Sequence, residues 1–276
     1  MSALERLPEW ATTGVGSLPH TDLEEAVAHV AAAYDVPFCP QLPRLDGDMI
    51  TEWLGSDPGG CGWSPARDRE RPRAWNALLA ALEHSPPPHR IVKLQVTGPA
   101  TLAYALAQRA LARDVATWLA ANVADQVRAL EGFDVLLMID EPALHLTDTT
   151  EDVWDPLRAV APLWGLHLCG PVPWTVVARA EPDVLSFDLS LAPPDEDVLA
   201  HLVAHGGRIA WGVVQPHRPE HGLHALQRLS ARHDDGPWSL LTPACGTGRM
   251  SLRREHEIAT ALWDTAYALR RVNATR

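Results

Sequence analysis

Thiols are scarce in this chain. Four cysteines in 276 residues are too few for the disulfide framework of a small secreted domain, so they are expected to be reduced and free for metal binding or catalysis. Long apolar runs are also missing. No segment is apolar for long enough to span a bilayer, and the opening "MSALERLPEWATTGVGSLPH" has neither a basic start followed by an apolar stretch nor an evident cleavage site. These absences predict a cytoplasmic protein with no membrane partner. Basic residues are the minority, 23 against 35 acidic ones, for a net charge of -12. That balance argues against a broad surface for nucleic acid or anionic lipid and favours small-molecule chemistry. Apolar material, by contrast, is plentiful. At 46% hydrophobic residues the chain can bury one large core, and its length suits a single barrel-type domain as well as two smaller ones.

Short apolar runs alternate with longer amphipathic stretches. Eight runs read as strands, each stopped by Gly, Pro or a polar residue: "TTGVGSLP", "VPFCPQLP", "RIVKLQVTG", "DVLLMIDEP", "GLHLCG", "DVLSFDLS", "RIAWGVVQP" and "SLLTPACG". Helical patterns lie between them: Asp22 to Ala33, Trp75 to Glu83, Thr101 to Leu130, Val172 to Ala180, Asp195 to Ala204, Gly222 to His233 and Arg253 to Arg271. The Thr101 to Leu130 stretch reads as two helices, with Asp114 as an N-cap. Eight strands alternating with helices predict a single α/β domain over residues 1–276, a (β/α)8 TIM barrel, with a doubly wound open sheet as the alternative. Two stretches break the pattern. "SPPPH" (85–89) reads as a rigid connector, and the Gly-, Pro- and charge-rich Leu54 to Pro72 reads as a loop. Arg67, Arg69, Arg71 and Arg73 in and beside that loop make a small basic patch in an acidic protein, which is either a solvated charged face or an anion contact.

In a barrel, Ser17, Asp140, Glu141, His167, Cys169, Asp188, His217 and Cys245 all fall at or just past strand C-terminal ends, the face where such folds carry their chemistry. Alternation along the fifth run points His167 and Cys169 to one side, with Leu168 facing the other. Cys245, from the eighth run, and Asp188, from the sixth, complete a His/Cys/Cys/carboxylate set. Such a set suits Zn2+ in a site that keeps an exchangeable position. On the residues alone, a metal site and a group of buried structural side chains are equal alternatives.

The ordered motifs "TTGVGSLPHT", "LQVTGPATL", "IDEPAL", "HLCG", "GVVQPHRP" and "TPACG" resemble those of the cobalamin-independent methionine synthase family, specifically its C-terminal catalytic barrel and short single-barrel relatives. The uroporphyrinogen decarboxylase superfamily is a more distant likeness. The resemblance runs across nearly the whole chain and leaves no room for the extra N-terminal barrel of the long enzymes. It implies zinc held by His167, Cys169 and Cys245. Asp188 stands where the family has a glutamate, one methylene longer. Asp140 is implied to hold the amino group of homocysteine, Ser17 to contact substrate, and His217 to transfer a proton near the methyl donor. A further family glutamate, after the second strand, has no match; Asp46 and Asp48 are the nearest candidates.

The implied activity is a zinc-dependent S-methyltransferase that converts homocysteine to methionine. The donor would be methyl-tetrahydrofolate or a methyl-corrinoid, the latter with a corrinoid carrier protein as a partner. Two alternatives stand beside it: a metal-free decarboxylase on the same barrel, and a zinc- or ligand-binding barrel without turnover. "GTGRM" after Cys245 reads as a Gly-rich turn rather than a phosphate loop. Cys39 reads as buried, Cys61 as a loop thiol of open role, and most of the 11 tryptophans as packing.

Overall fold

The computed structural model describes residues 3–55, 72–191, 193–217 and 239–273. In chain order the elements are β1 (Ala11–Thr12), α1 (Leu23–Ala33), α2 (Pro43–Asp46), α3 (Met49–Leu54), α4 (Trp75–His84), β2 (Ile91–Thr97), α5 (Pro99–Ala105), α6 (Ala112–Ala129), β3 (Asp134–Asp140), α7 (Asp155–Arg158), β4 (Leu163–Leu168), α8 (Trp174–Ala180), β5 (Val184–Asp188), α9 (Glu196–Ala204), β6 (Arg208–Val214), β7 (Leu240–Pro243) and α10 (Leu252–Asn273). The strands form one parallel sheet in the order β1-β7-β6-β5-β4-β3-β2.

This sheet corrects the expectation of a closed eight-strand barrel. The second run, "VPFCPQLP", is not a strand. It lies between the two edges and touches both through isolated bridges, Phe38 to Lys93 and Ser17 to Gln41. Pro37, Pro40 and Pro43 have no N–H to donate, so a continuous ladder cannot form there. The donors that remain make single bonds: Val36 N to Thr12 O, Cys39 N to Lys93 O and Gln41 N to Gly16 O.

The sheet nonetheless curls as a TIM-like fold does. Ala11, Ile91, Leu136, Met138, Leu163, Val184, Ala210 and Leu240, drawn from all seven strands, meet Val36 in one buried apolar cluster, plugged from outside by Leu4 and Leu7. Neighbours in the alternate phase, such as Val92, Leu137, Leu166 and Leu185, belong to the larger core beneath the helices. Period two therefore assigns each strand residue to the inside or the outside. Continuing the inside phase beyond the apolar base gives Lys93, Gln95 and Thr97 on β2, Asp140 on β3, His167 on β4, and Ser186 and Asp188 on β5. All seven are buried. The C-terminal half of the interior is thus polar by construction.

The predicted helices are present within a few residues of their expected bounds where the structure describes them; Gly222 to His233 lies outside the described residues. Asp22 caps α1 by accepting from Glu25 N, and Asp195 caps α9 by accepting from Val198 N. The 101–130 region does divide into two helices. The division falls earlier than expected, at a 3-10 turn over Arg109–Leu111, and Asp114 stands in the first turn of α6 instead of capping it.

Candidate functional site

At the C-terminal ends of the strands a cavity of about 540 Å3 is lined by Ser17, Asp140, His167, Cys169, His217 and Cys245, together with Gln41, Asp48, Glu52, Gln215 and Arg249. Six of the eight strand-end residues named from the sequence therefore share one cavity. Asp188 and Glu141 are the exceptions. Asp188 is buried behind the lining, where Oδ1 accepts from Ser190 N at 2.8 Å, Ser190 Oγ at 2.7 Å and Gln215 Nε2 at 2.6 Å. Its visible work is to fix Gln215, which does line the cavity.

Strand register places the centre of the site. Asp140 pairs with His167 across β3 and β4, and His167 pairs with Ser186 across β4 and β5. His167 Nδ1 lies 2.9 Å from Ser186 Oγ, while the buried Nε2 has no hydrogen-bond partner. Burial, reinforced by the Lys93 charge, lowers the imidazole pKa to about 3. Burial favours the neutral ring, and in the tautomer that donates Nδ1–H to Ser186 Oγ the Nε2 lone pair is free for a ligand. The Cys169 and Cys245 thiols both line the cavity. Their mutual interaction, the largest influence on each, pushes Cys169 up and brings Cys245 down to about 7, a step toward the thiolate that metals and electrophiles require.

Ser17 and the "CGTG" turn interlock. Gly248 N donates to Ser17 Oγ, and Thr247 donates to Ser17 O from both its N and its Oγ1. A Cβ on Gly246 would fall 2.2 Å from Ser17 Oγ, so glycine is what lets the first and last strand ends close on one another. The reading of this motif as a Gly-rich turn holds.

Glu141, next to Asp140 but in the outward phase, has a separate task. Its carboxylate accepts from Ala100 N, Thr101 N, Thr101 Oγ1 and Trp154 Nε1 at 2.7–3.0 Å. It thereby caps α5 and ties "TGPAT" to "IDEP".

Three contributors were not anticipated. Lys93, the only lysine in the sequence, is buried beneath the cavity with Nζ donating to Val15 O and lying 4.9 Å over the Phe38 ring. Burial drives its ammonium pKa down, and Asp140 opposes that shift; burial likewise drives Asp140 up, and Lys93 opposes it. The single lysine within an apolar strand pattern was the available signal. Ser186 supports His167, and the inside phase of β5 would have identified it. Glu52, on α3, reaches the cavity with Oε2 accepting from Gln41 Nε2 at 2.8 Å. It brings a glutamate to the region where Asp46 and Asp48 were the candidates. Asp46 instead pairs with Arg73, and Asp48 caps α3 through Ile50 N and Thr51 N. Arg67, Arg69, Arg71 and Cys61 lie outside the described residues.

Among the described residues, no group of three or more His, Cys, Asp or Glu side chains stands ready to hold a metal ion. The donor chemistry still suits zinc: a neutral imidazole with an unpartnered Nε2, and two thiols lining the same cavity.

No protein-family model matches this sequence, and no curated protein matches it. Solved structures do match in shape. A methyltransferase from Methanosarcina mazei superposes with a TM-score of 0.60 at 14% identity over 96% of both chains. A protein from Listeria monocytogenes assigned as a vitamin-B12-independent methionine synthase superposes with a TM-score of 0.57 at 15% identity, over 90% of this chain and 86% of its own. At these identities the likeness is one of architecture, and the chain shares the curled parallel α/β fold of both proteins.

Proposed function

We propose that this protein is a zinc-dependent methyltransferase whose acceptor is a small thiol, homocysteine, and whose product is methionine. One observation carries the reading: His167, Cys169 and Cys245 open onto the same cavity as Asp140, whose buried Oδ1 has no hydrogen-bond partner. Both structural neighbours are named for related chemistry, a methyltransferase and a methionine synthase, and the ordered sequence motifs lead the same way.

In this reading His167, Cys169 and Cys245 are the zinc ligands, and taking up the ion requires them to close on one point. Asp188, on the inside phase, supports them through Gln215 and adds negative charge beside Cys245. When bound, zinc supplies deprotonation of the acceptor thiol while leaving its sulfur able to attack a methyl group. The remaining tasks belong to the chain. Asp140 takes the acceptor's ammonium on Oδ1 through a charge-assisted bond and so fixes the direction from which sulfur arrives. Ser17, held by the "CGTG" turn, borders the acceptor. His217, an exposed residue of the cavity lining, gives a proton to a departing folate amine in this reading; a corrinoid would leave without one. The donor, methyl-folate or methyl-corrinoid, approaches from that open side.

The test is metal content together with product. Protein purified without added metal should carry close to one zinc per chain, Cys169→Ser and Cys245→Ser should each lose most of it, and S-methylated product should form from homocysteine with one of the two donors. Unchanged zinc in both variants would remove the ligand assignment.

A further inference from the structure

We propose that Arg249 forms a carboxylate-binding subsite that complements Asp140 and makes the cavity a receptor for an α-amino acid. The inference rests on the amino-acid acceptor proposed above and assigns the group that recognises its other end. Three acidic side chains, Asp48, Glu52 and Asp140, line the cavity, and Arg249 carries the one permanent positive charge among the described lining residues. A ligand's carboxylate therefore meets an opposite charge only at that guanidinium. The turn that carries Arg249 is fixed: Thr247 and Gly248 bond to Ser17, Met250 N donates to Thr247 O at 2.7 Å, and Met250 O accepts from Arg44 Nη2 at 2.7 Å. Its guanidinium is open. The side chain is 84% exposed and reaches Asp48 Oδ2 only at 3.9 Å, while Asp48 Oδ1 is occupied by Ile50 N and Thr51 N. A pair so long and so exposed contributes little, and the planar fork keeps its donors for a bidentate carboxylate.

Asp140 and Arg249 differ in depth as well as in charge. Asp140 is buried at the end of β3 with Oδ1 unpartnered, whereas Arg249 is exposed in the turn after β7. A zwitterion is bound in one sense, its ammonium inward on Asp140 and its carboxylate outward on Arg249. That leaves its side chain for the wall formed by His167, Cys169 and Cys245. Three fixed directions from one tetrahedral carbon also select one enantiomer. A thiol amine without a carboxylate lacks the outer contact and binds more weakly.

The experiment is a calorimetric titration of the full-length, chelator-treated chain with L-methionine and with L-methioninol, which keeps the ammonium and the thioether and replaces the carboxylate by a hydroxymethyl group. Wild type should bind L-methionine about 10- to 100-fold more tightly than L-methioninol, the range expected for one charged hydrogen-bonding partner. Arg249→Gln should abolish that preference by weakening methionine binding alone, and Arg249→Lys should keep part of it. Because the side chain is exposed, Tm should be unchanged in both variants. The proposal is overturned if wild type binds both ligands alike, if it binds neither, or if Arg249→Gln weakens both equally. Methyl transfer from methyl-folate and from methyl-corrinoid is assayed in parallel. A preference for methionine that depends on Arg249, in a protein that forms no methylated thiol from either donor, would uphold the carboxylate subsite and remove the methyltransferase; turnover of homocysteine with a KM that Arg249→Gln leaves unchanged would do the opposite.

Discussion

Lys93 and Asp140 are buried together beneath the cavity: burial drives the ammonium pKa down and the carboxyl pKa up, each group opposes the shift of the other, and Asp140 Oδ1 is left without a hydrogen-bond partner. That oxygen is presented to the cavity with its hydrogen-bonding capacity unspent, as a receptor for an ammonium group must be.

Lys93→Met is therefore expected to cost about 1–3 kcal/mol of stability, because it strands Val15 O and removes the charge that opposes the burial of Asp140. Adding Asp140→Asn to that variant should recover part of the loss, with a coupling energy of about 0.5–3 kcal/mol in a double-mutant cycle. Urea denaturation of the four proteins measures it. Strict additivity would mean that the two charges do not sense each other.

The helix-capping carboxylate gives a second expectation. A Cβ on Gly98 would fall 2.1 Å from the Glu141 carboxyl carbon, so Gly98→Ala should destabilise by about 1–3 kcal/mol through overpacking. Glu141→Ala should cost more, because it strands the buried donors of Ala100, Thr101 and Trp154 at about 1–3 kcal/mol each. In the double variant the added methyl has room, so the two losses should not sum. Equal stability of Gly98→Ala and wild type would show that the turn yields freely.

What could be read from the sequence, and what could not, follows from which interactions are local. The strand phase of His167 and Cys169 and the caps of α1 and α9 depend on neighbours a few residues away, and these were legible. The run at 36–43 was not: its apolar character matched a strand, but its three prolines removed donors a ladder needs. The site was legible at the strand ends, where chemistry-bearing residues stand beside Gly and Pro. Its supports were not. Ser186 and Lys93 matter because adjacent strands bring them under His167 and Asp140, and Glu52 because α3 folds back over the cavity. The withdrawal of Asp188 behind Gln215 turns on a hydrogen-bond network between β5 and β6 that spacing does not encode.

His217 separates the two donors. If methyl-folate is used, His217→Ala should lower kcat with little change in KM for the thiol, by about 10²–10⁴-fold if it is the general acid. If a methyl-corrinoid is used, the same substitution should change kcat little, since that leaving group needs no proton. Steady-state rates with each donor decide between them. A large loss with the corrinoid would contradict the assigned role.

The central claim is that this cavity binds a thiol at a metal held by His167, Cys169 and Cys245. It is tested most directly by replacing the metal with Co2+ and recording the visible spectrum as homocysteine is added. The account predicts a saturable rise in thiolate-to-metal charge transfer with homocysteine and none with homoserine. Asp140→Asn should bind cobalt normally while requiring more homocysteine for the same change. A cobalt spectrum that homocysteine and other small thiols leave untouched would contradict the account.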